Sequence, residues 1–179
     1  SLMTGGGVGS DYSKVRAKGE IITGTGGLST GPLALMNMVN EAGRYIRQGG
    51  TRRSAIWAGL NWKHKDVFEF IECKNRTEME KKLKEDDPDF PLPMEGTNIS
   101  VIFDTDFWIA LKKRSGEEYR HAMKVWDVLC KQAFSTAEPG FSFNFRKELC
   151  HLFRNTRVLT AARIPKTASL IRVCYLGIS

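Results

Sequence analysis

The spacing of apolar and polar residues changes along this chain, and the changes mark out its elements. Pro32 follows candidate helix caps at Ser29 and Thr30, and Leu35, Met38, Val39, Ala42 and Ile46 then recur at helical spacing. That predicts a helix over about 32–47 with this stripe, and Met36 with it, turned to the core. The apolar run at 55–61 has strand length. His64-Lys65-Asp66 reads as a helix start, with His64 a surface or capping residue and Val67, Phe70 and Ile71 as the buried face of a helix ending near Lys74. Residues 75–97 are charged and then proline-rich, at Pro88, Pro91 and Pro93, and read as a solvated excursion. A strand is predicted over 98–104 and a helix over 104–113. A longer helix follows over 117–134, with Tyr119, Ala122, Val125, Trp126, Leu129 and Ala133 inward. Glu138-Pro139-Gly140 breaks it, and 141–145 alternates as a strand. Strands alternating with helices predict an α/β layout with parallel pairing.

Glycine punctuates this pattern at three places. Residues 4–13 open with Thr4-Gly5-Gly6-Gly7-Val8-Gly9, a run disfavoured in strand and helix interiors, and read as a loop with exposed backbone amides. No Gly-Lys-Ser/Thr follows, and no Gly-x-Gly-x-x-Gly stands ahead of a helix, so neither common phosphate-binding fingerprint applies. A second run, 23–31, leads into the first helix. The third, Arg47-Gln48-Gly49-Gly50-Thr51-Arg52-Arg53-Ser54-Ala55, lies between the predicted helix and the buried strand. Gly49 and Gly50 permit positive φ and a close approach of backbone to ligand, and Arg52 and Arg53 offer planar donors to phosphate or a base edge. Taken alone, the same residues also suit a helix C-cap and a solvated turn.

Composition narrows the function classes. The 179 residues, 41% hydrophobic and 26% charged, are ordinary for a globular chain with a core. No stretch of eighteen apolar residues and no charged-then-apolar leader occurs, so a cytoplasmic protein without a membrane span is expected. Cys73, Cys130, Cys150 and Cys174 are far apart, and His64, His121 and His151 are scattered, so no metal site and no disulfide framework is expected. The net charge of +7 is concentrated in residues 146–179, where seven Lys and Arg face Glu148 alone. The preceding residues are nearly neutral, which disfavours direct nucleic-acid binding through the body of the protein.

The glycine segments, with Asn61-Trp-Lys-His-Lys-Asp, Glu69-Phe-Ile, Thr97-Asn-Ile-Ser-Val and Glu138-Pro-Gly-Phe-Ser-Phe-Asn, resemble in order the catalytic large subunit of ribonucleotide reductase. The resemblance covers residues 1–146 and is strongest to the adenosylcobalamin-dependent, class II branch. It implies an α/β fold: part of a ten-stranded α/β barrel, incomplete at both ends. It also implies radical-based reduction of ribonucleoside di- or triphosphates to deoxyribonucleotides for DNA synthesis. Adenosylcobalamin would supply the radical; the alternative is a separate radical-bearing small subunit. A thioredoxin-like reductant, a deoxynucleotide allosteric effector and a homodimer are the other partners implied.

Carried onto this sequence, Gly6 and Gly7 resemble the loop that lies against the substrate ribose, where a Cβ would collide with the sugar. Arg16, Gly24, Thr25, Gly26 and Gly27 resemble the first specificity loop, on the effector. Gly49, Gly50, Thr51 and Arg52 resemble the effector-shaped part of the second, in which Gln48 and Arg53 would sense the substrate base. Two sites would thereby bias one loop, which is allostery.

The catalytic motif departs from the family. Where Asn-x-Cys-x-Glu presents the radical cysteine and a glutamate, residues 155–159 read Asn155-Thr156-Arg157-Val158-Leu159. Arg157 cannot form a thiyl radical and Leu159 cannot act as a base. Cys174 resembles one of the family's redox cysteines, with an inert buried thiol as the other reading. Residues 149–179 hold no acidic side chain and fit neither period. Residues 147–179 are therefore a basic tail, or a stretch out of frame where the finger loop belongs. As written, the chain is expected to be inactive, and a noncatalytic (deoxy)nucleotide-binding module is the alternative function.

Overall fold

A computed structural model describes residues 7–48 and 52–144. The elements in chain order are β1 (Gly7–Asp11), α1 (Pro32–Tyr45), β2 (Arg47–Gln48), β3 (Arg52–Arg53), β4 (Ala55–Asn61), α2 (Val67–Glu72), α3 (Glu78–Asp86), β5 (Thr97–Asp104), α4 (Thr105–Lys113), α5 (Glu117–Thr136) and β6 (Gly140–Asn144). Four strands form one sheet in the order β1-β4-β5-β6, every pair parallel. Strands β2 and β3 form a separate two-residue antiparallel ribbon, Arg47 opposite Arg53 and Gln48 opposite Arg52. The α/β layout with parallel pairing read from the sequence is the one observed.

The helices cover one face of the sheet. Alternate residues Ala58 and Leu60 of β4, Ile99, Val101 and Phe103 of β5, and Phe141 of β6 join Phe70, Ile71, Phe107, Ala122, Val125 and Leu129 in one buried cluster. Trp62 closes it at the exit end of β4, 5.4 Å from Phe107 in an edge-on arrangement. Among the described residues no helix is long and apolar enough to cross a membrane, and no group of three His, Cys, Asp or Glu could hold a metal.

Three local expectations need correction. The first glycine run is not all loop: Gly7–Asp11 is a strand, paired in register from Gly7↔Ala55 to Asp11↔Gly59. Its glycines serve a close approach, since a Cβ on Gly7 would lie 3.2 Å from the Ala55 carbonyl oxygen. The excursion 75–97 contains α3, begun by a capping box in which Thr77 Oγ1 accepts from the Glu80 amide and Glu80 Oε2 accepts from the Thr77 amide, at 2.8 Å.

The third correction concerns the face that α1 turns inward. Met36, Asn40 and Gly43 are buried, whereas Leu35 is 39% exposed and Met38 64%. The helix lies so close to β4 that a Cβ on Gly43 would be 2.2 Å from Ile56 Cδ1. Asn40 Oδ1 is engaged by Gly96 N and Thr97 Oγ1, both at 2.9 Å. Met36 is inward as expected, but Asn40 and Gly43 take the rest of the inner face, so Leu35, Met38 and Ala42 of the expected stripe are left outside, with Tyr45 beside them.

Candidate functional site

Parallel pairing brings the start of every strand to one end of the sheet, and the chemistry-bearing segments divide between its two ends. At the entry end, Gly7 stands opposite Ala55, immediately after the β2–β3 ribbon. The ribbon is held at its base from three directions. Ser54 Oγ donates to the Gly43 carbonyl oxygen at 2.6 Å, joining the end of α1 to the start of β4. Arg44 Nη2 donates to Glu95 Oε2 at 3.2 Å, and Lys84 Nζ reaches Glu95 Oε1 at 2.8 Å. Burial works to raise the Glu95 carboxyl, but the hydrogen bond and charge of Lys84 and the charge of Arg44 outweigh it and hold it below the usual range. The third tie is Asn40, bound to Gly96 and Thr97 as above.

At the exit end, the segment after β1 lines an open cleft of about 570 Å³ with residues from the ends of β4 and β5, including Arg16, Asn61, His64 and Asp104. His64 Nδ1 accepts from the Asp66 amide at 3.1 Å, so its Nε2 carries the proton donated to the Val15 carbonyl at 2.9 Å. His64 is thus half-buried in two backbone contacts and does not cap α2, which has no side-chain cap. Asp104 Oδ1 accepts from Trp62 Nε1 at 3.0 Å and from the Phe107 amide at 3.2 Å, and Oδ2 accepts from Asn61 Nδ2 at 3.0 Å. Burial pushes this carboxyl up, yet those donors and the Lys63 charge prevail and keep it low. Lys63 pairs with Asp106 at 2.9 Å and Lys65 with Glu20 at 2.5 Å, while the Arg16 side chain is exposed.

The second glycine run is a tight hairpin beside this cleft. Ile21 pairs with Leu28, Ile22 N donates to Gly27 O and Gly26 N donates to Ile22 O, both at 2.8 Å. Gly24, Thr25, Gly26 and Gly27 are exposed, and only Gly26, at φ +69°, needs glycine for its backbone. A Cβ on Gly24 would meet nothing within 4 Å, so packing does not explain it.

The sequence-predicted residues thus fall into two groups. Gly7 lies with the ribbon residues Gln48, Arg52 and Arg53 at the entry end, whereas Arg16 and Gly24–Gly27 lie at the other end of α1, whose 14 residues span about 20 Å. One chain does not bring its two glycine segments together. Gly6, Gly49, Gly50, Thr51, Asn155, Arg157, Leu159 and Cys174 lie outside the described residues. Cys73 is half-buried, and burial pushes its thiol up to about 11, so it is no thiolate at neutral pH.

The sequence reading missed Ser54 as a tie, Asn40, Asp104 and Trp57. Trp57 had a signal: Gly9 and Gly59 sit inside strands, where a glycine marks a close approach. Its indole donates from Nε1 to Ser100 Oγ at 3.0 Å.

Comparison with known proteins gives one consistent answer. The family model described as "Ribonucleotide reductase, barrel domain" matches residues 1–119. A vitamin B12-dependent ribonucleoside-diphosphate reductase of Thermoplasma acidophilum is 31% identical over 154 residues, covering 78% of this chain and 18% of that protein. A ribonucleoside-diphosphate reductase large subunit of Vaccinia virus is 37% identical over 178 residues, covering 86% of this chain and 23% of that one. Among solved structures, the class Id ribonucleotide reductase alpha subunit of Actinobacillus ureae superposes with a TM-score of 0.57 at 17% identity, over 79% of this chain and 22% of that chain. The last likeness concerns the fold alone. The chain spans about a fifth of the length of the relatives it matches. With two thirds of its residues inside one family model, the chain belongs to the ribonucleotide reductase barrel-domain family.

Proposed function

We propose that this chain is an internal segment of a ribonucleotide reductase catalytic subunit, an oxidoreductase that reduces ribonucleoside di- or triphosphates by radical chemistry for DNA synthesis. One observation carries the reading: Gly7 stands in register with Ala55 directly beside the ribbon that ends in Arg52 and Arg53. A side chain at Gly7 would already crowd the Ala55 carbonyl, and glycine keeps that edge of the sheet flat for a sugar. Gln48 and Arg53 are then the base-sensing residues, and Gly49, Gly50, Thr51 and Arg52 the part of the loop an effector shapes.

Arg16 and the hairpin Gly24–Gly27 take the effector phosphates in this reading. Because they sit about 20 Å from the ribbon along α1, an effector contacting both needs two chains. The bare stripe Leu35, Met38, Ala42 and Tyr45, at spacings of three, four and three, suits helix packing against a second copy. A homodimer of a cytoplasmic enzyme served by a thioredoxin-like reductant follows from the same reading.

Adenosylcobalamin is the radical source suggested by the B12-dependent relatives, with a radical-bearing small subunit as the alternative. The exit-end cleft, lined mostly by charged and polar side chains such as Glu20, Lys63, Lys65 and Asp106, does not fit a corrin.

The residues at 155–159 favour a second reading. With Arg157 and Leu159 in place of cysteine and glutamate, the chain as written binds nucleotide without reducing it. A frame error across 147–179 accounts for both the missing motif and the missing acidic residues. Resequencing the coding DNA from codon 140 past codon 179 decides between them. A corrected frame containing Asn-x-Cys-x-Glu, followed by measurable ribonucleotide reduction, supports the reductase. An unchanged frame followed by a stop leaves the nucleotide-binding module.

A further inference from the structure

The sheet has a second face, turned away from the helices, and among the described residues it carries one large aromatic ring. Trp57 lies flat along it. Its ring tip covers Gly59, where a Cβ would be 2.5 Å from Trp57 Cη2, and its other edge abuts Gly9, where a Cβ would be 3.3 Å from Cε3. Ser100 Oγ fixes the indole nitrogen at 3.0 Å, and Ser100 in turn requires Gly140 beside it, because a Cβ there would stand 3.0 Å from the same oxygen. Strand-interior glycines are unfavourable by roughly 0.5–1 kcal/mol each, so two of them against one half-buried ring, with a third beside its hydrogen-bond partner at the start of β6, call for a reason. Core packing does not supply it, for the ring faces away from the buried cluster.

The register supplies a reason. Trp57 is two residues along β4 from Ala55, and Gly9 two along β1 from Gly7, so the ring begins about 7 Å from the Gly7–Ala55 pair on the same face. We infer that Trp57 is a substrate-contact residue: its free face is the apolar floor on which the furanose ring of a ribonucleotide at Gly7 rests. This rests on the function proposed above and adds to it a residue that orients the sugar and keeps water from one side of it. The three glycines and Ser100 hold the ring down so that the sugar can lie over it.

The test uses the full 179-residue chain and two probes, cytidine diphosphate and a deoxynucleoside triphosphate, measured by equilibrium dialysis. Trp57→Ala is expected to weaken cytidine diphosphate binding about tenfold and Trp57→Phe about threefold or less, with deoxynucleotide affinity unchanged in both. A purely structural role would move both ligands together. Independently of truncation, cytidine diphosphate should change the emission of the wild-type chain more than that of Trp57→Phe, and this difference decides alone if Trp57→Ala does not fold. Cytidine diphosphate binding that is indifferent to both substitutions, or equal emission changes, overturns the role of Trp57 and leaves the proposed function standing. A wild-type chain that binds neither probe overturns the proposed function and the inference with it.

Discussion

Ser54 Oγ donates to the carbonyl oxygen of Gly43 at 2.6 Å and so ties the end of α1 to the start of β4, across the third glycine run. The carbonyl belongs to the last turn of α1, where intrahelical partners run out, and the hydroxyl stands one residue before β4. One bond thus satisfies a helix end and fixes where β4 begins relative to α1. Ser54→Ala is expected to lower stability by about 1 kcal/mol, read as a fall in urea midpoint. Gly43→Ala brings two opposing effects: a gain of about 1 kcal/mol in helix propensity and a cost of about 1–3 kcal/mol for a methyl forced against Ile56. The clash should prevail, and a Gly43→Ala chain more stable than wild type would show that α1 can move off β4.

Asp104 joins three elements, through Asn61 and Trp62 at the end of β4 and through the first turn of α4. Its carboxyl is held low, so the folded state binds its proton less readily than the unfolded chain does. Stability from this group is therefore fully present above the unfolded value, near 4, and is lost as the pH falls through the lower folded value. Urea midpoints measured from pH 6 downward should drop through that window in wild type, and less steeply in Asp104→Asn. Asp104→Asn should also cost about 1 kcal/mol at neutral pH, where the charge-assisted bonds are lost. Parallel pH curves for the two chains would remove Asp104 from the account.

Met38 sits in the middle of the outer stripe of α1 at 64% exposure. If that stripe packs against a second copy, Met38→Glu should shift the chain to monomer in sedimentation at micromolar concentrations. Its monomer stability should change by less than about 0.5 kcal/mol, because the side chain touches little within one chain. Equal sedimentation of the two proteins would end the case for α1 as the dimer contact.

The elements with strong periodicity were legible. Strand β4 matches the 55–61 expectation residue for residue, and α5 extends the expected helix by only two residues, with Ala122, Val125, Leu129 and Ala133 buried as read. The failures share a cause: a residue chosen for its neighbour rather than for its own element. Gly7 and Gly9 look like loop because the backbone and ring they make room for belong to β4, 48 residues on. The α1 stripe looks like core because hydrophobicity alone does not reveal that Asn40 and Gly43 fit closer to the sheet. Helix α3 was there to be read in Thr77-x-x-Glu80, and the nearby prolines obscured it. At the site, the glycine segments were visible as segments, but their division between opposite ends of α1 is a property of the parallel crossover and could not be read from order alone.

Glu95 ties α3 to α1. Helix α3 has no buried residue, so its attachment rests on polar contacts: Lys84 to Glu95 and to the Phe90 carbonyl, and Arg76 to the Pro93 carbonyl. The Glu95 carboxylate also holds Arg44, in the last turn of α1, and all three side chains are about a quarter to a third exposed. Screening is incomplete at that depth, and the loss of one charge removes two pairs at once. Glu95→Gln is expected to lower stability by about 1 kcal/mol, less so at 1 M salt, where the wild-type pairs are themselves weakened. The sharper readout is local: amide exchange in 78–86 should accelerate several-fold while the amides of β5 keep their protection. Unchanged exchange in α3 would mean that Lys84 on the Phe90 carbonyl and Arg76 on Pro93 suffice to hold it, and that α1 and α3 are not coupled through Glu95.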